Sequence, residues 1–126
     1  KLGLTEARVG IPFPSVAMQV LQAEAAPHVA RVLTLRAENI GPQAALACGL
    51  LDELQPPARI LSAAMARARD LASMPAEGYA RIKQQLRAGT LARIEETIAR
   101  GTDPALASWV TPEAGAASAA LLRGER

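Results

Sequence analysis

Prolines cut this chain into short segments, and their spacing is the tightest constraint on what it can fold into. Pro27, Pro42, Pro75, Pro104 and Pro112 each stand where a new run of helix formers begins, and Pro56-Pro57 closes the stretch before another. Proline has no N–H to lose in a first turn, and its fixed φ suits that position. The sequence therefore predicts a succession of short helices. Inside them the apolar residues recur at helical spacing. Ser15 to about Ala25 carries Val16, Ala17, Val20 and Leu21, with Ser15 as expected N-cap. Pro27 to about Arg36 carries Val29, Val32, Leu33 and Leu35. Gln43 to Cys48 is a short helix ended by Gly49 as a left-handed cap.

Arg59 to Ser73 is the clearest amphipathic helix, with Ile60, Leu61, Ala64, Met65 and Leu71 on one side. Glu77 to Ala88 follows, with Tyr79, Ile82 and Leu86 as the expected buried stripe. Gly89-Thr90 then predicts a break before Leu91 to Arg100. A short helix through Trp109, with Asp103 as expected N-cap before Pro104, and a last one to about Arg123 complete the chain. Three pieces read as extended instead: Lys1 to Leu4, Glu38 to Ile40 and Leu50 to Leu54. None has an obvious sheet to join, and unpaired backbone groups are costly once buried. Their partners are expected in an upstream portion or in another subunit.

Half of the 126 residues are apolar, yet there is one Phe, one Tyr and one Trp. A core built from Ala, Leu, Val and Ile suits closely packed helices, and small residues suit surfaces covered by another chain. Fourteen basic and 12 acidic residues leave a net charge of +2. The arginines are spread along the helices with no aromatics between them, which argues against nucleic-acid binding. A single cysteine and a single histidine exclude an intrachain disulfide and any zinc-ligand spacing, so no metal is expected. No signal peptide or membrane-spanning run is visible, which predicts a cytoplasmic protein without a membrane partner. The chain opens inside a structured-looking segment, so an upstream half of the same protein is expected.

Gly3 to Pro14 is the stretch where chemistry is most readily placed. It passes a lone carboxylate, Glu6, and turns through Gly10, Pro12 and Pro14. A carboxylate on a loop beside a rigid scaffold suits a general acid or base, and equally an exposed surface glutamate. His28 in a first helical turn and Cys48 among small residues read as structural. Glu95 and Glu96 are neighbours whose side chains diverge on a helix, so they do not form a catalytic pair.

Three stretches, taken in order, carry a resemblance. They are Leu2-Gly3-Leu4-Thr5-Glu6 with Gly10-Ile11-Pro12; Leu33-Thr34-Leu35 with Glu38-Asn39-Ile40 and Ala44 to Leu51; and Leu71-Ala72-Ser73-Met74-Pro75 with Lys83 beyond. Together they resemble the C-terminal half of the enoyl-CoA hydratase/isomerase (crotonase) superfamily.

The resemblance implies a mostly α chain with short β segments. Residues 1–57 would end the ββα spiral core of an α/β fold, and 58–126 would be the helical trimerisation region. It implies an acyl-CoA thioester as substrate, no further cofactor, and a homotrimer or hexamer. The upstream half would supply the oxyanion hole that stabilises an enolate. Glu6 would move the proton, with Ile11, Phe13 and Trp109 as substrate-binding residues. Trp109 reads equally as a helix-docking residue, and Lys83, Arg93 and Arg123 as CoA-phosphate contacts or a solvated face.

Hydratases of this family use a second glutamate upstream, whereas many isomerases keep only the one matched by Glu6. Pro12-Phe13-Pro14-Ser15 stands where hydratases tend to have a glycine-rich run, and Thr5 where they tend to have proline. An isomerase with Glu6 as sole acid/base is thus the close alternative. A non-catalytic helical oligomerisation module is the alternative from another class.

Overall fold

The computed structural model describes residues 1–101, 103–109 and 111–124. Among them are six α-helices: α1 (Ser15–Glu24), α2 (Pro27–Thr34), α3 (Pro42–Ala47), α4 (Ile60–Ala72), α5 (Ala76–Ala99) and α6 (Pro112–Arg123). Short 3₁₀ turns cover Glu6–Val9, Pro57–Arg59 and Pro104–Ser108. Prolines open α2, α3 and α6 and the last two 3₁₀ turns. Gly49 closes α3 with φ 77°. The Leu50 N–H reaches the Ala45 carbonyl at 2.9 Å and the Gly49 N–H the Leu46 carbonyl at 3.1 Å. This double closure satisfies carbonyls that the helix end leaves free.

Three expectations change. The break at Gly89-Thr90 is absent, and α5 runs through both residues. An interior glycine costs only about 1 kcal/mol relative to alanine and, unlike proline, keeps its N–H donor. Ser15 is the first residue of α1, not its cap; Pro14 holds the cap position. The extended pieces resolve differently from one another. Leu2 and Ile40 form an antiparallel bridge, with N–H···O distances of 2.9 and 2.8 Å, so two of the pieces find a partner within the chain. Leu50 to Leu54 is irregular, and the N–H groups of Leu50 and Leu51 both turn back to the Ala45 carbonyl.

Buried apolar side chains among the described residues are Val29 and Leu33 of α2, Ala37, Ala45 of α3 and Ala114 of α6. Helix α1 packs against α2 and α5, and α6 packs against the Glu6–Val9 turn. Ala37 adopts φ 48°, a left-handed conformation costly for a residue with a Cβ. Its carbonyl accepts a hydrogen bond from Arg8 Nε at 2.8 Å, which ties the end of α2 to the N-terminal turn.

The apolar stripes of α4 and early α5 are another matter. Leu61 is 74% exposed, Ile82 67% and Leu86 81%, so the stripe expected to be buried is surface in this chain. The reason is geometric. Helix α4 continues directly from the Pro57–Arg59 turn, and α5 meets α1 around Thr90, Leu91 and Ile94, which leaves the Ile82 face uncovered. Among the described residues, no helix is long and apolar enough to cross a membrane.

Candidate active site

Glu6 opens the 3₁₀ turn Glu6–Val9, and its carbonyl accepts the N–H groups of Gly10 and Ile11, the latter at 3.2 Å. Gly10 sits at φ 71°, a conformation that glycine reaches without steric cost. The turn is gripped from two sides, by Arg8 on the Ala37 carbonyl and by α6 across its surface. The Glu6 side chain is half-buried. Its Oε2 is buried without a hydrogen-bond partner, alone in this among the side-chain atoms of the described residues. An unsatisfied buried acceptor costs about 1–3 kcal/mol, and a catalytic role or a bound water are the usual reasons for one.

Ile11 and Phe13 are half-buried on the turn that follows. Trp109 joins them from the far end of the chain: its indole Nε1 donates to the Pro12 carbonyl at 2.9 Å. The ring remains 38% exposed. Trp109 thus reaches the backbone of the turn that carries Ile11 and Phe13, and the Ile11 N–H links that turn to Glu6.

Asp103 completes the arrangement. Its Oδ2 accepts the Ser15 backbone N–H at 2.7 Å, and its Oδ1 accepts the Ser15 hydroxyl at 2.7 Å and the Ala105 N–H at 3.0 Å. One carboxylate therefore caps two helical segments, its own and the start of α1. The Ser15 hydroxyl, then the Ser15 N–H, hold the Asp103 carboxyl below the usual carboxylate range. A folded-state pKa below the unfolded one stabilises the fold above the unfolded pKa, and that stabilisation disappears as pH falls through the folded value. Asp103→Ala is expected to lower the urea midpoint at pH 7. The gap to the parent should be narrower at about pH 3, below the ordinary aspartate pKa and on the way to the lowered folded-state value. Urea titrations of both proteins at the two pH values check this.

Arg93 bonds Gln19 Oε1 at 2.6 Å and Thr90, joining α5 to α1. Cys48 is half-buried, its thiol pointing to the Ala45 carbonyl at 3.4 Å. His28 is exposed in the first turn of α2. Beside the site, a cleft of about 1050 Å³ opens between the Leu2–Ile40 bridge and α6, bordered by Gly3, Thr5, Arg8, Asn39 and Leu121. Reading the sequence alone missed Arg8 and the remote half of Asp103's role. Neither has a local signal, because the partners lie 29 and 88 residues away.

Comparison with known proteins bears on this geometry. The enoyl-CoA hydratase/isomerase family model matches residues 1–104. The crystal structures of enoyl-CoA hydratase EchA3 from Mycobacterium ulcerans and of enoyl-CoA hydratase ECHA3 from Mycobacterium marinum are similar to this chain. Each has a TM-score of 0.70 and 29% identity, over 74% of this chain and 41% of the solved one. The chain thus spans about two-fifths of the length of these relatives, at 41%. No curated protein matches it. Mostly helical with almost no strand, it corresponds to the C-terminal helical part of the crotonase fold. With a family match that runs from the Glu6 turn through the Asp103 cap, the chain belongs to the enoyl-CoA hydratase/isomerase family.

Proposed function

We propose that the protein moves a proton at the α-carbon of an acyl-CoA thioester, with Glu6 as acid/base. The observation that carries this reading is the buried Glu6 Oε2 without a partner, in a turn held from both sides. As a carboxylic acid, Glu6 gives its proton to C2 of an enolate, and the carbon lone pair forms the new C–H bond. The carboxylate left behind is the base for the reverse step. The enolate oxygen needs hydrogen-bond donors, an oxyanion hole that an upstream half of the same protein would supply. The thioester is the substrate, and the chemistry calls for no separate cofactor. Ile11 and Phe13 form the apolar side of this turn.

Two variants of the reaction fit. A hydratase uses a second carboxylate to direct water, whereas an isomerase moves a proton between C2 and C4 through Glu6 alone, with exchange of the carboxyl proton against solvent between turnovers. The Pro12-Phe13-Pro14 turn, with Thr5 before the glutamate, favours the isomerase as second reading. Steady-state turnover of 2-enoyl-CoA and 3-enoyl-CoA by the full-length protein separates them. Turnover of neither would leave the helical oligomerisation module as the better account.

The exposed stripe on α4 and α5 supports a homo-oligomer, trimer or hexamer, in which another copy or the rest of the fold covers Leu61, Ile82 and Leu86. Half of the chain is apolar, and surface of this kind is costly to leave in water.

A further inference from the structure

We infer that Asp103 and Trp109 act as a clamp that positions Glu6 for proton transfer, and that Trp109 is not a wall of the acyl pocket. This rests on the acid/base reading of Glu6. The loop from Gly10 to Pro14 connects Glu6 to α1, and two of its residues, Pro12 and Pro14, have no N–H to donate. The Gly10 and Ile11 N–H groups tie only its start to the Glu6 carbonyl, so the position of the rest is set by what grips it from outside. Both grips come from one segment of the chain. Asp103 takes the N–H and hydroxyl of Ser15, just after the loop, and Trp109 takes the carbonyl of Pro12 in its middle.

The indole has a single polar hydrogen, and that hydrogen is committed to Pro12 at 2.9 Å. From Pro12 the coupling to Glu6 is short: the adjacent Ile11 N–H is bonded to the Glu6 carbonyl. The carboxylate oxygen itself gives Glu6 no anchor, since Oε2 has no partner. Glu6 must therefore be aimed through its backbone. Arg8 fixes one end of that backbone on Ala37, and the clamp fixes the other. Misplacing a catalytic group by about 1 Å costs as much as a hundredfold in rate, so a grip on Pro12, passed to Glu6 through the Ile11 N–H, matters to kcat.

The test uses the full-length protein and the variants Trp109→Phe, which keeps the ring but loses the N–H, and Asp103→Asn, which keeps one acceptor oxygen. Trp109→Phe should lower kcat for enoyl-CoA by about tenfold to a hundredfold while KM moves by less than about twofold. In the same variant the Gly10 and Ile11 amides should exchange about tenfold faster, with α5 amides unchanged as the internal check of folding. Asp103→Asn should shift both readouts in the same direction by less.

A raised KM with kcat unchanged would make Trp109 a pocket wall and overturn the clamp. Unchanged exchange at Gly10 and Ile11 would overturn it as well. Exchange measured with Trp109→Phe in a Glu6→Gln background reads the clamp without turnover. Parental turnover by Glu6→Gln alone would instead defeat the acid/base reading, and the clamp's catalytic purpose with it.

Discussion

Glu6→Gln in the full-length protein is expected to lower kcat for enoyl-CoA by about 10² to 10⁴-fold, the range for loss of a general acid/base. The substitution keeps the shape of the side chain but replaces a carboxyl oxygen with an amide NH₂, which neither gives nor takes the proton at working pH. Its effect on folding should be of the opposite kind. Oε2 makes no hydrogen bond that the amide could lose, and burial of a carboxylate without a partner is unfavourable. The thermal midpoint of Glu6→Gln should therefore equal or exceed that of the parent. Lost activity with retained or raised stability distinguishes a catalytic carboxylate from a structural one, whose removal would lower both. Parallel thermal melts and initial rates check this.

The second large effect concerns the uncovered stripe. Ile82→Asp with Leu86→Asp should weaken assembly of the full-length protein by about 10² to 10⁴-fold in association constant. That range corresponds to about 3–6 kcal/mol, taking 1.5–3 kcal/mol for each large apolar side chain that a partner surface would bury. Both positions are largely exposed in the chain itself, at 67% and 81%, so the substitutions put charge in water without opening a cavity. Sedimentation velocity across a concentration series should show the parent as one assembled species and the double variant as smaller ones. An unchanged distribution would place the interface elsewhere.

Much of this architecture was legible in the sequence because its signals are local. Proline at the start of α2, α3 and α6 and glycine after α3 act within one turn of where they stand. The join of α5 was misread because Gly89 is only a weak breaker, and continuity of a 24-residue helix depends on the turns on either side. The burial of its stripe was misread for another reason. Periodicity tells which face is apolar but not whether this chain brings anything to cover it.

The candidate site was legible in part. Glu6, Ile11 and Phe13 lie within one short stretch, so a single motif carries all three. Trp109 could be named from its residue type, but its hydrogen bond to Pro12 spans 97 positions. The same holds for Asp103, whose local role as a cap before Pro104 was visible while its grip on Ser15 was not. Long-range hydrogen bonds leave no pattern in the intervening residues. The left-handed Ala37 is a further case, since nothing about an alanine announces a positive φ.

Solvent deuterium reads the proposed proton transfer by Glu6 at the α-carbon without an intermediary. The full-length protein and its Glu6→Gln variant are each incubated in D₂O with 2-enoyl-CoA and 3-enoyl-CoA, and deuterium at C2 is followed by NMR. The parent should place deuterium at C2, and Glu6→Gln should do so at least about a hundredfold more slowly. Deuterium appearing at C2 at the parental rate in Glu6→Gln would contradict the account.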